Sequence, residues 1–341
     1  MESILCLMHT QIDGTLPKPA LEALSVAKEL AAGLGGASVD IGLIGADVTV
    51  AAGTIAGAGA RKVLGVSGAE FGQARYVSDA AAAAALVKSS AATIVVAAQT
   101  SRFARVLAGV ALRIGGRIDS HVTGVAVRDG GITVNRWYYR QRMEATLTRA
   151  ARPWIIAVDP GCVKPWSGAT GAAKVESVNA ELPHVRSKVT GVRSPSADEQ
   201  TIRPDAELLF VAGAGWTKKQ ADGQTHVAEA EKLILGFLKA SKASLGGSKS
   251  LVDSSGEGEA VLRFMTHLNQ IGQTGATPRH PKGLATCCHG EEPHTVGWRF
   301  ITERRAINKD AGCGWARGKA DVLYVADAFE VMAKVNALLS A

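Results

Sequence analysis

Gln270-Ile-Gly-Gln-Thr-Gly275 places two side-chain amides, one hydroxyl and two glycines in six residues that carry no charge. Glycines let a backbone come close to a ligand, and amides and a hydroxyl offer donors and acceptors to a flat heteroaromatic edge. That set suits a flavin or a nucleobase better than a metal ion or a proteolytic nucleophile. A plain polar turn can have the same composition, so the rest of the chain must decide between the two readings.

Other segments could contribute to such a site. Gly213-Ala-Gly215 follows an apolar strand and is half of a dinucleotide fingerprint, with the third glycine and the later acid not in place. Gly246-Gly-Ser-Lys249 offers backbone N–H groups, a hydroxyl and a cation, in the manner of a phosphate cradle but without the order of a P-loop. His289-Gly-Glu-Glu-Pro-His294 lacks the metalloprotease spacing and contains a proline, so a ligand-binding loop at a strand end describes it better. Ile307-Asn-Lys-Asp310 offers an amide, a cation and a carboxylate after a strand, and also reads as an ordinary polar loop. Arg136-Trp-Tyr-Tyr-Arg-Gln-Arg142 mixes cations and aromatics, yet no second basic block reinforces a nucleic-acid surface, and a strand against a protein partner is the plainer account.

Short apolar runs alternating with helical patterns would position these loops. Strands are expected over 4–8, 39–44, 62–66 and 93–98, and helices after Pro19 and over 51–59, 79–89 and 102–114. This is repeated β-α-β, which implies a doubly wound parallel sheet. Three short strands over 122–127, 132–136 and 144–148 then read as an antiparallel patch, turned by Asp129-Gly-Gly131, and Trp154–Val158 closes the half. Residues 160–204, rich in Ser, Gly, Pro and charge, read as a linker. A second α/β unit begins near Glu207, with strands over 208–211, 284–287, 299–306 and 322–325 and helices around Val227–Leu238, over 257–269 and over 329–339. The expected fold is therefore two doubly wound α/β domains, 1–204 including the linker and 205–341.

Composition agrees with this layout. Apolar residues make up 47% of the 341, and aromatics only 5%, so the core is mostly aliphatic, as parallel sheets with covering helices require. The net charge of +7 permits an anionic cofactor or an acidic partner. Cys6, Cys162, Cys287, Cys288 and Cys313 show no regular spacing, which argues against a zinc site or disulfide framework and for a reducing, cytoplasmic setting. No run approaches the length of a membrane span.

Taken in order, these segments resemble the alpha subunit of electron transfer flavoproteins, most densely from about Glu207 onward. The match rests on Gln270–Gly275, His289-Gly290 with His294, Ile307–Asp310 and Ala320-Asp321 followed by Val325-Ala-Asp-Ala-Phe329, with Leu16–Leu34 and Arg152–Ala157 in the first half. The resemblance implies a heterodimer with a beta subunit and one FAD held by the second domain. It also implies electron flow from a flavin dehydrogenase to a quinone-linked or iron–sulfur acceptor. Thr274 would lie near the reactive edge of the flavin, with Gln270, Gly272, Gln273 and Gly275 lining it and Ser248 and Lys249 near the ring and phosphates. His289, Gly290, His294, Asn308, Lys309, Asp310 and Asp321 would contact the remainder. Three departures stand out: Gly213-Ala-Gly-Trp216 lacks a customary arginine, Lys249 replaces an arginine, and His289 replaces a serine. A shifted flavin potential is the expected consequence, and a flavin-free scaffold of the same family is the alternative.

Overall fold

Hydrophobic runs with no polar interruption are expected to be buried on both faces, and the central strands of the first unit are. In strand β1 (Ser3–His9), Ile4, Cys6 and Met8 point into one core and Leu5 and Leu7 into the other. Strands β4 (Ile94–Ala98) and β8 (Trp154–Val158) divide their side chains in the same alternating way. The computed structural model describes residues 2–139, 143–191, 202–203, 206–253, 260–272, 276–286 and 300–340. Its chain forms two compact units, Met1–Val192 and Arg193–Ala341.

Unit 1 adds β2 (Ser38–Gly45), β3 (Lys62–Ser67), β5 (Arg117–Arg128), β6 (Gly131–Tyr138), β7 (Met143–Leu147) and β9 (Val175–Ser177). Together they form a nine-stranded sheet in the order β7-β6-β5-β8-β4-β1-β2-β3-β9. Helix α1 (Lys18–Gly33) covers one face with Ala20, Ala23, Leu24, Ala27 and Leu30, while α3 (Tyr76–Ser90) and α5 (Leu107–Arg113) cover the other. A short helix, α2 (Thr49–Thr54), follows β2, and a 3-10 turn over Ala56–Ala58 replaces the second half of the single helix expected there.

The antiparallel patch is not a separate element. Strand β5 runs parallel to β8 and antiparallel to β6, so β8 is inserted between β5 and β4 in the middle of the sheet. Asp129 and Gly130 both adopt positive φ (51° and 74°) between the paired Arg128 and Gly131, the geometry that a two-residue hairpin loop requires. Under this junction the fully buried Asp119 accepts hydrogen bonds from Arg149, from Arg136 (3.2 Å) and from the indole N–H of Trp154 (2.9 Å). Burial pushes the Asp119 carboxyl up, but the Arg149 hydrogen bond and charge, with Trp154 and Arg136, outweigh it and hold the group below the usual carboxylate range.

The helix expected over 102–114 is split into α4 (Ser101–Ala104) and α5. Thr100 caps α4 by accepting from the N–H of Phe103 (3.2 Å), and Arg102 turns inward to Asp79, at 2.9 Å from Nε and 2.6 Å from Nη2. The segment after β8, read from composition as linker, packs against unit 1 as far as Leu182. Trp166 donates its N–H to Leu21 (3.0 Å), Gly171 to Gly53 (3.0 Å), and β9 pairs with the edge strand β3.

Unit 2 contains β10 (Leu208–Ala212), α6 (Val227–Ser241), β11 (Ser244–Gly247), α7 (Lys249–Asp253), β12 (Lys282–Thr286), β13 (Glu303–Asn308), α8 (Gly314–Lys319), β14 (Val322–Val325) and α9 (Ala328–Leu339). Its five described strands are parallel, in the order β11-β10-β12-β13-β14. Phe210, Leu284 and Ile307 face α6 and α9, while Leu209, Val211, Ala285 and Ala306 face Ile271 and α8. The strand order reverses between β10 and β12, so the crevice at their carboxyl ends is the expected place for a ligand. Among the described residues no helix is long and apolar enough to cross a membrane.

Candidate cofactor site in unit 2

The described sequence-predicted residues divide between the two ends of this sheet. At the carboxyl end of β11 the chain passes through Gly247 and Ser248 into α7. The Ser248 N–H donates to Ala212 (3.0 Å), and its hydroxyl oxygen accepts from the N–H of Leu251 (3.3 Å). Ser248 is buried, whereas Lys249 is half exposed and its ammonium sits 2.9 Å from Asp253. That carboxylate also lies 3.7 Å from His267.

Gln270 and Gly272 reach the same place from a different part of the chain. Gln270 is buried and forms a bridge with Gly247, and Ile271 donates its N–H to Gly247 (3.2 Å). The loop then closes on itself: Gly272 donates to Ala276 (2.8 Å) and Ala276 to Gln270 (2.8 Å). Gly272 has φ 124°, a conformation that other residues rarely adopt. Gln273, Thr274 and Gly275, inside this closure, lie outside the described residues, as do His289, Gly290 and His294.

Sequence reading placed Gly246 and Gly247 in a loop, but both lie in β11. A Cβ on Gly246 would stand 2.9 Å from the Ile271 side chain, so a glycine strand is what lets the loop lie against the sheet. Gly246→Val is expected to push the Ile271 loop off β11 and to cost about 1–3 kcal/mol by overpacking. Denaturant unfolding followed by tryptophan fluorescence checks it, and an unchanged midpoint would contradict it. Nor do residues 260–269 continue the helix expected over 257–269; a 3-10 turn, His267–Asn269, stands there, capped by Thr266.

Asn308, Lys309 and Asp310 follow β13 at the same end of the sheet. Asn308 is buried and its side-chain oxygen accepts from the N–H of Asp310 (3.0 Å), while Asp310 accepts from Gly312 (2.7 Å). Lys309 pairs with Asp327, which also caps α9 by accepting from Phe329 (2.7 Å) and Glu330 (3.3 Å). Burial raises Asp327, but Lys309 and the two helix N–H groups prevail and hold it below the usual range. Beside this pair opens a cavity of about 260 Å³ lined by Gln220, Asp222, His226, Glu229 and Glu330 as well as Lys309, Asp327 and Phe329.

Asp321 does not join this group. It precedes β14, at the opposite end of the sheet, where Arg304 holds it with a side-chain bond of 2.9 Å and a backbone N–H bond of 2.6 Å and lowers its pKa. Asp327 is the acid at the carboxyl end of β14. Both lie in the same short pattern, and only strand polarity separates them.

One further residue, Trp216, has no role assigned from the sequence beyond marking a departure. Trp216, in the 3-10 turn after β10, is fully buried and donates its indole N–H to the Thr286 hydroxyl (2.8 Å) at the carboxyl end of β12. Its ring packs on Phe329 at 4.6 Å. Trp216 thus closes the floor of the crevice where the strand order reverses. A tryptophan directly after Gly-Ala-Gly was the available signal.

The fold and this end of unit 2 define a doubly wound α/β protein whose strand-end loops bring amides, hydroxyls and lysines together. Among the described residues no cluster of His, Cys, Asp and Glu could hold a metal ion. Residues 4–183 match the family model described as the electron transfer flavoprotein domain. That match spans more than half of the chain, which belongs to the electron transfer flavoprotein family, and it falls within unit 1. No curated protein matches the chain.

Proposed function

We propose that the chain is the alpha subunit of an electron transfer flavoprotein, binding FAD in unit 2 and working as a heterodimer with a beta subunit. The observation that carries this reading is that Gln270 and Ile271 close onto Gly247, beside Ser248 and Lys249. Two separate sequence motifs thereby meet at one end of a parallel sheet within a family associated with flavin. Bound flavin supplies the redox chemistry, accepting reducing equivalents from a flavin dehydrogenase and yielding them to a quinone-linked or iron–sulfur acceptor.

The donor set fits a flavin dinucleotide. Buried Gln270 and the amide and hydroxyl of Gln273 and Thr274 offer hydrogen bonds to the ring edge, and Ser248 and Lys249 offer a hydroxyl and a cation. Asp222, Glu229, Asp327 and Glu330 around the neighbouring cavity suit hydroxyls and an amine and repel phosphates. The pyrophosphate therefore belongs nearer Lys249, and Asp327 takes the cofactor contact that the resemblance alone gave to Asp321. Lys249 presents its charge as a point and shares it with Asp253, so it orders the ring less strictly than an arginine fork would. A reducing, cytoplasmic setting is part of the same proposal and rests on the irregular spacing of the cysteines in the sequence.

Co-expression with the beta subunit tests the reading. A yellow heterodimer that releases one FAD per pair on denaturation is expected; a colourless pair that takes up no FAD would refute it. A flavin-free scaffold is the second reading, favoured by the missing arginine in Gly213-Ala-Gly-Trp216, where the buried Trp216 bonds Thr286 instead.

A further inference from the structure

We propose that Asn269 is a positioning residue that sets the register between the two halves of the flavin site, an inference resting on the flavin reading above. The two halves come from separate stretches of chain, β11 with Ser248 and Lys249 on one side and the 270–276 loop on the other. Their backbone link at Gly247 is short, and it lies where two glycines and a loop leave few side chains to fix an angle.

The Asn269 side chain, directly before Gln270, supplies that constraint. It is almost fully buried, at 1% exposure. Its amide N–H donates to the carbonyl of Leu245 in β11 (3.3 Å). Its oxygen accepts from the N–H of Thr266 (3.0 Å) and lies 3.4 Å from the Thr266 hydroxyl, while its own N–H donates to Thr266 (2.9 Å). One end of the amide therefore grips the strand and the other the turn that launches the loop. Because the Asn269 amide and its bond to Leu245 are buried, losing that partner strands a donor or acceptor away from water and forces a rearrangement.

The arrangement separates two duties. Thr266 and the Asn269 oxygen hold the 3-10 turn together, whereas the Asn269 amide N–H ties that turn to Leu245. Gln270, two backbone atoms beyond the staple, inherits its position, and Ile271 is carried onto Gly247. The strand end that leads to Ser248 and Lys249 and the amide-bearing loop are thus registered through Leu245.

Three variants of the assembled heterodimer test this. Asn269→Leu removes both grips at similar volume, Asn269→Asp keeps the acceptor but deletes the donor to Leu245, and Thr266→Val disturbs the turn while leaving the staple. FAD affinity is expected to weaken about ten-fold or more in Asn269→Leu and Asn269→Asp, the size of one lost buried hydrogen bond, and to change little in Thr266→Val. The flavin midpoint potential and the visible band should shift in the first two only. In the flavin-stripped protein, the N–H groups of Ile271 and Gly272 should exchange hydrogen faster in Asn269→Asp than in Thr266→Val. Affinity, potential and exchange in Asn269→Asp matching those of the parent would overturn the proposal, as would equal effects of all three variants. If Asn269→Leu does not fold, Asn269→Asp decides. A parent that binds no FAD would sink the flavin reading, while the exchange comparison would still judge the staple.

Discussion

Replacing Arg102 with methionine is expected to destabilise unit 1 by about 3–5 kcal/mol, because the change leaves the Asp79 carboxylate buried without its cation. Both partners are buried, Asp79 at 1% and Arg102 at 8% side-chain exposure, and they meet in a two-pronged contact of 2.6 and 2.9 Å. The same guanidinium donates to the carbonyl of Phe71 (2.6 Å), so it joins α4, α3 and the turn before α3. The double variant Asp79→Leu with Arg102→Met should regain a large part of the loss, since an apolar pair of similar volume carries no charge to desolvate. Chemical unfolding of both single variants and the double variant gives the coupling energy directly. A cost below about 1 kcal/mol for Arg102→Met would mean that the buried carboxylate finds another partner or water.

Acidification from neutral pH to about pH 4 is expected to remove about 3 kcal/mol of stability from unit 1 through His9 alone. Burial pushes this imidazole down to about 4, opposed by the hydrogen bond with Thr10 and assisted by the charge of Arg102. The carbonyl of Thr10, 3.2 Å away, can only accept, so Nδ1 carries the proton and Nε2 accepts from the Thr100 hydroxyl at 2.9 Å. Between the unfolded value near 6.5 and the folded value near 4, the unfolded chain binds a proton that the folded chain refuses. Stability is therefore complete above that window and falls by about 1.4 kcal/mol per pH unit inside it. Below it, the carboxylates held low by partners, such as Asp119 and Glu2, begin to lose their contributions. His9→Gln keeps an acceptor for Thr100 and should flatten the slope between pH 6.5 and pH 4.5. An equally steep slope in that variant would assign the effect to another group.

Much of unit 1 was legible because its strands are apolar on both faces and punctuated by glycine. Ile4–Met8, Val39–Ile44 and Trp154–Val158 have no polar residue to place in water except Asp40, whose carboxylate is taken up by Arg61 at 2.6 Å. Their order in the sheet was not legible: Trp154–Val158 reads as the end of the half, yet it lies between β4 and β5. Pairing between distant strands depends on which apolar surfaces meet, and local pattern is silent on that. The expected helix over 102–114 broke because Thr100 caps a first turn and Arg102 leaves the helix surface for Asp79. The helix expected over 257–269 is not present over 260–269, where Thr266 and Asn269 offer the backbone competing hydrogen bonds.

The residue types for a cofactor site, two amides, a hydroxyl, glycines and two lysines, are properties of the sequence alone, as is the alternation that makes a doubly wound fold. Which of them meet was decided by the tertiary structure. The chain direction of β14 sends Asp321 to one end of the sheet and Asp327 to the other, though six positions separate them in the sequence. Likewise, Gly246 reads as a loop residue until Ile271 is seen to need its missing Cβ, and Asn269 reads as an ordinary polar residue until Leu245 lies beneath it. Local chemistry is written residue by residue, whereas proximity between distant segments follows from how parallel strands stack and which of their ends they share.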